Sequence, residues 1–198
     1  MTKIYIYLVA IVSLAFNTAF SQITKQQKFA QAITDIVKAF AKQDSTALAK
    51  YTDKATGIYL ITRSGVMDYY INYKTITFTD PGYPTAHFRG AKNIKLQTLQ
   101  YAKLPTFNCN TNKWSKKGLY VDTIIIDHKL STTATNRVKF TDEKIPLSVI
   151  KKFIALENNS RRVVLIDSKG LELIFYLTYK NKNWYVTIME SVTSDCSA

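Results

Sequence analysis

The sequence predicts an α+β domain with its helices on one face of a mostly antiparallel sheet, and three observations carry that expectation. Residues 24 to 42 repeat apolar side chains at steps of three and four. From residue 57 the pattern changes to period-two runs rich in Tyr, Ile and Thr. The last third of the chain joins the apolar runs RVVLID, LELIFYLTY and WYVTIMESV by short polar turns. Turns that short suit antiparallel neighbours, because a parallel pair needs a crossover of about a dozen residues or more.

In the first helix Phe29, Ile33, Ile36, Val37 and Phe40 form one apolar stripe, with Lys and Gln between them. Asp44 and Ser45 offer N-cap oxygens to a second, shorter helix through Leu48 and Tyr51, and Gly57 marks its exit. Strand character begins with GIYLIT, turns at Ser64-Gly65 and resumes in VMDYYINYKTITF. Residues 119 to 128, LYVDTIIIDH, read as one further strand. Pro146 opens a third helix, with Leu147, Ile150, Lys151 and Ile154 along one side and Asn158-Asn159 at its end. The meander follows, turning at Ser168-Lys169-Gly170 and at Lys180-Asn181-Lys182-Asn183. If Tyr179 pairs with Trp184, then Leu177 faces Val186, Phe175 faces Ile188 and Leu173 faces Glu190. The whole reads as an N-terminal helical hairpin packed on a curved sheet, a third helix and a C-terminal strand meander.

The length of 198 residues fits one domain, taking about 100–200 residues per domain. A hydrophobic content of 46% supplies a core and excludes disorder as the main state. The first residues, MTKIYIYLVAIVSLAFNTAFSQ, have the layout of a secretory signal peptide: one cation (Lys3), an apolar run from Ile4 to Phe16, and small residues at Ala19 and Ser21. Residues 1–21 are therefore expected to be removed, leaving a periplasmic or secreted domain over residues 22–198. No later stretch is long and apolar enough to span a bilayer. Two cysteines remain, Cys109 and Cys196, and an oxidising compartment allows one bond between them. Closing so long a loop contributes about 4–5 kcal/mol in the chain-entropy model. Two free thiols or an intermolecular bond are the alternatives. No CxxC pair is present and both His lie far from either Cys, so no metal site and no cofactor is expected.

The helix-hairpin order and the end FYLTYKNKNWYVTIMES, in which a strand, a polar turn, a Trp and a last strand follow one another, resemble the NTF2-like group of α+β cone folds. Cystatin-like folds share much of this order. The segment from Asp80 to Asp122 is extra to either pattern. In NTF2-like enzymes, acidic or imidazole groups in a sheet-lined pocket carry out proton transfer, and the resemblance implies that chemistry for this chain. The positions that could supply it are Glu190, at the end of an apolar strand face, and Asp122 and His128, on one face of the strand from Leu119. Burial in such a pocket raises a carboxylate pKa and makes an acid or base. The alternative places Glu190 at the sheet rim, solvated or paired with a lysine. No GxSxG, GxGxxG, GxxxxGK or HExxH motif occurs, so neither a nucleophile elbow nor a phosphate cradle is indicated.

Charge is the stronger signal. The chain has a formal net charge of +13, with 27 Lys and Arg against 14 Asp and Glu. Residues 81–121 hold no acidic residue and carry Arg89, Lys92, Lys95, Lys103, Lys113, Lys116 and Lys117. Tyr83, His87, Phe88, Tyr101, Phe107 and Trp114 are interleaved with them, as are Pro81, Pro84 and Pro105 and one cysteine of the expected pair. Such a loop-rich segment suits an anion, with Arg89, Lys92, Lys95, Lys113, Lys116 and Lys117 supplying charge and Trp114 a stacking surface. Acidic polysaccharide, anionic lipid headgroups or an acidic protein fit an exported protein better than nucleic acid does. The alternative is ordinary solvated surface. A non-enzymatic binding module is the first expectation, and a small hydrolase or isomerase the second.

Overall fold

The computed structural model describes residues 25–78 and 91–197. The expected leader lies outside the described residues, as do Pro81, Tyr83, Pro84, His87, Phe88 and Arg89. Helix α1 covers residues 25–42, and α2 is Ser45–Ala49, α3 Lys129–Phe140 and α4 Leu147–Asn158. The strands are β1 Ile58–Ser64, β2 Met67–Tyr73, β3 Leu99–Tyr101, β4 Phe107–Asn108, β5 Lys113–Trp114, β6 Gly118–Val121, β7 Ser160–Ile166, β8 Glu172–Lys180 and β9 Asn183–Glu190. The α+β class holds. No helix among the described residues is long and apolar enough to cross a membrane.

The seven-stranded sheet runs β2-β1-β9-β8-β7-β6-β3, and β4 and β5 form a separate hairpin. Its pairs are antiparallel except β1–β9 and β3–β6. The first face is covered by α1 and α2. All five stripe residues of α1 are buried against Leu60, Val163, Phe175, Leu177 and Val186 of the sheet, and each contributes about 1.5–3 kcal/mol by leaving water. Asp44 caps α2 as expected, its carboxylate accepting from the Ala47 N–H at 2.9 Å. At Gly57 the backbone has φ +70° and an added Cβ would stand 2.6 Å from the Tyr73 carbonyl, so only glycine fits this exit.

Helices lie on both faces, not one. The second face, with Tyr59, Ile61, Tyr176 and Ile188, is covered by α3 and α4 through Leu130, Ala134, Phe153 and Leu156. Helix α3, KLSTTATNRVKF, is not among the elements expected from the sequence, and its threonines weaken helix propensity. Burial of Leu130 and Ala134 on the sheet decides the matter. The expected strand from 119 to 128 accordingly ends at Val121. Asp122 starts a turn by accepting the N–H groups of Ile124 and Ile125 at 2.8 and 3.1 Å. Ile124 is left 89% exposed.

In the meander the turn pairs Lys180 with Asn183, so its loop is Asn181-Lys182, both with positive φ as a type I′ turn requires. Tyr179–Trp184 and Leu177–Val186 pair as expected. The next pairs do not, because Thr187 is an extra residue in β9: Tyr176 faces Ile188, Phe175 faces Met189, and Ile174 faces Glu190. The buried Thr187 hydroxyl is satisfied within a chain of hydroxyls, Thr187 to Thr178 and Thr178 to Ser160, both at 2.6 Å. This bulge turns Glu190 to the second face.

Glu190 is therefore neither solvated nor paired with a lysine. It is 3% exposed and held by Arg162 of β7, whose guanidinium also donates to Asp127 at 2.9 Å and Thr193 at 2.7 Å. Burial pulls the Arg162 pKa down, but the carboxylates of Glu190 and Asp127 outweigh it and hold the guanidinium above its ordinary range. The Tyr176 phenol beneath it is pushed well above its usual value by burial first and by Glu190 second. Removing Glu190 leaves the buried guanidinium with Asp127 as its one carboxylate among the described residues. Glu190→Ala is expected to cost about 3–5 kcal/mol in urea unfolding, while Arg162→Met with Glu190→Leu stays within about 2 kcal/mol of wild type. Equal losses in the two variants would place the cost in packing instead of in the broken Arg162–Glu190 pair.

Candidate functional site: a cleft under a disulfide-pinned hairpin

The basic segment folds back over the part of the second face that α3 and α4 leave open. Its β4–β5 hairpin pairs Phe107 with Trp114 and Asn108 with Lys113. The Asn108 carboxamide oxygen shapes the turn by accepting the N–H of Asn110 at 2.9 Å. A hairpin this short does not hold itself in water, and three attachments fix it. Trp114 packs with Leu104 on Val164, Ile166 and Ile174. The Trp114 Nε1–H donates to Glu172 Oε2 at 3.0 Å, while Ser194 donates to the other oxygen of the same carboxylate. The Cys109–Cys196 disulfide ties the hairpin turn to the C-terminal tail, with Cα atoms 5.6 Å apart. The expected bond is thus the one formed, across a separation of 87 residues.

Between this hairpin and the β7–β8 turn lies a cleft of about 490 Å³ lined by Phe107, Asn112, Lys113, Trp114, Lys117, Gly170, Glu172 and Ser194, with Ile166 at its floor. Of the expected binding residues, Lys113, Trp114 and Lys117 meet here. Lys117 Nζ donates to the Ser168 carbonyl at 2.7 Å, which sets its charge at the turn beside Lys169. The Lys95 N–H reaches Asp167 of the same turn at 3.4 Å, but its exposed side chain does not line the cleft. Lys116 lies over the Tyr120 ring at 4.0 Å and donates to the Lys103 carbonyl. Lys92 does not line the cleft; its neighbour Asn93 is bonded to Ala41 at the end of α1. Arg89 is outside the described residues.

Acidic groups here are few and engaged. Asp167 is fully buried and accepts the N–H groups of Lys169 at 2.8 Å and Leu171 at 3.0 Å, closing the turn at Gly170 with its φ of +86°. Glu172 is committed to Trp114 and Ser194. Reading the sequence missed Glu172, Ser194 and Gly170 as partners of the basic segment. Acidic Glu172 at the start of an apolar strand was the available signal, but nothing local says which aromatic it meets.

Each of the three candidate acid-base groups, Glu190, Asp122 and His128, sits away from the cleft lining. Glu190 is locked to Arg162 and Thr193, and Asp122 is spent on its turn, which holds its carboxyl below the usual carboxylate range. His128 stands at the N-cap of α3 without a side-chain cap bond. That cap comes from Glu157 of α4, whose Oε1 accepts the N–H groups of Leu130 at 2.6 Å and Ser131 at 3.2 Å, with His128 Nδ1 3.5 Å from Oε2. Among the described residues no cluster of His, Cys, Asp and Glu is arranged to hold a metal ion.

Burial raises the Glu157 pKa from 4.5, against the lowering effect of its Ser131 and Leu130 bonds. The folded protein then holds this proton more tightly than the unfolded chain does, so stability falls as pH rises from the unfolded value through the raised one. Glu157→Gln removes that dependence. The variant's stability relative to wild type should increase between pH 4 and pH 7 in urea titrations, whatever its absolute offset. A relative decrease would mean that the charged cap is favoured over its burial.

Compared with protein-family models, with curated proteins and with solved structures, the chain matches none.

Proposed function

We propose that the chain is an exported, non-enzymatic binding module whose cleft between the β4–β5 hairpin and the β7–β8 turn takes an acidic polysaccharide. The observation that carries this reading is the meeting of Lys113, Lys117 and the Trp114 indole in one open cleft, with Lys117 reaching the turn that carries the exposed Lys169. Lysines supply point charges to carboxylate or sulfate groups. The indole, its N–H already spent on Glu172, is a fixed apolar platform for the C–H face of a sugar ring. The single charge of Glu172 is outnumbered by these cations. Export is supported by the disulfide, which suits an oxidising compartment, and by the layout of residues 1–21.

The catalytic alternative draws no support from the described geometry. The Glu190 carboxylate is buried against Arg162 and lines none of the cleft. Retention on immobilised heparin, an acidic polysaccharide, tests the binding reading. Lys113→Glu with Lys117→Glu should elute at lower salt and bind roughly tenfold or more weakly at low ionic strength. Lys38→Glu with Lys42→Glu, on the exposed side of α1, makes the same change in net charge and should cost much less. Unchanged retention of the cleft variant, or equal losses in both, would defeat the assignment.

A further inference from the structure

A second cleft, of about 510 Å³, opens on the opposite face of the sheet beside the start of α1. Lys25, Phe29, Tyr101, Thr123, Arg161 and Trp184 line it. Its aromatic wall is fixed from behind. Phe29 and Tyr179 pack against Trp184 with ring centres 4.6 and 5.0 Å away, and the indole N–H donates to the Lys25 carbonyl at 3.3 Å. The Lys25 ammonium stands 4.0 Å over the Tyr179 ring. Tyr101 is 45% exposed at the other side.

Arg161 is the unusual member. It lies opposite Leu177 in the β7–β8 register, hence on the α1 face, while its neighbour Arg162 points to the other. Arg63, Arg137 and Arg162 each hold a carboxylate: Asp68, Glu143, and Glu190 with Asp127. Arg161 holds none among the described residues; its guanidinium donates to the Ser160 carbonyl at 2.8 Å. A guanidinium presents five donors in a planar fork that matches a carboxylate, so most of this fork is left for a ligand. A half-buried arginine without a carboxylate, bordering an aromatic-walled cleft with a second cation, is a set of groups that a ring-bearing acid would complete.

We propose that this cleft binds a carboxylate carried on a six-membered ring. Arg161 takes the carboxylate through paired N–H bonds, Lys25 adds positive potential, and the ring lies against Tyr101 and Trp184. The Thr123 hydroxyl is available to a ring substituent. This site is separate from the hairpin cleft: its lining residues are different, and it is built for a small acid instead of a polymer.

The chain has two tryptophans: Trp114 lines the hairpin cleft, and Trp184 lines this cleft and a neighbouring one beside Tyr51 and Tyr185. Trp114→Phe therefore leaves Trp184 as the only indole, and Arg161, which lines this cleft and not its neighbour, separates the two. Titration of that variant with benzoate and, separately, with galacturonate should give a saturable change in emission with at least one of them. The responding probe distinguishes an aromatic from a saccharide ring. Adding Arg161→Gln should weaken the response at least tenfold with an unchanged circular dichroism spectrum, and Trp184→Phe, which reports from Trp114, should not respond to benzoate. Because Trp114 also anchors the hairpin, the same titrations followed by the Trp184 indole N–H resonance of the wild-type protein repeat the test in the intact fold. A linear response to both probes, or one that Arg161→Gln leaves unchanged, overturns the proposal.

Discussion

Strand β8 is buried on both faces along most of its length, from Leu173 to Thr178, and that double burial is the constraint on which the other layers depend. A strand apolar on both sides cannot sit in a sheet with one wet face. It requires α1 and α2 over Phe175 and Leu177, and a second cover over Ile174 and Tyr176. Two units share that second cover. Helices α3 and α4 close over Tyr176, while the basic hairpin closes over Ile174 with Trp114 and Leu104. The candidate binding cleft is the seam left where the hairpin meets the β7–β8 turn.

The same burial explains the polar devices beneath it. A carboxylate turned inward by the Thr187 bulge needs a buried cation, and Arg162 of the neighbouring β7 reaches across Tyr176 to supply it. The hydroxyl chain of Thr187, Thr178 and Ser160 continues to the Leu156 carbonyl near the end of α4, so the bulge is satisfied without water. Glu157, one residue on, caps α3 and thereby holds the two second-face helices to each other. Side chains that could resemble an acid-base site in the sequence are here the interior supports of the fold.

How much of this was legible follows from how local each signal is. The α1 stripe, the Asp44 cap, the helix after Pro146 and the first meander pairs are written in neighbouring residues, and they appear as expected. The bulge is not local. Thr187 is an ordinary strand residue in sequence, and only its cross-strand partners reveal the extra position that changes the face of Glu190. Helix α3 is threonine-rich and gains its stability from a surface the sequence does not display. At the candidate cleft, composition singled out the segment that supplies Lys113, Trp114 and Lys117. It could not separate those from Lys92, which the fold carries toward α1. The arginine pair in SRRVVLI is visible in the sequence, but not that Arg162 meets carboxylates while Arg161 meets only a backbone carbonyl among the described residues.

The most direct measurement of the central claim is an amide chemical-shift map of the isotope-labelled protein titrated with a short sulfated oligosaccharide at low salt. Shifts concentrated at Lys113, Trp114, Lys117 and the turn through Lys169 and Gly170, fading as salt is added, are the expected result. Shifts scattered over every lysine-bearing surface, or confined to residues remote from the hairpin and the β7–β8 turn, would contradict it.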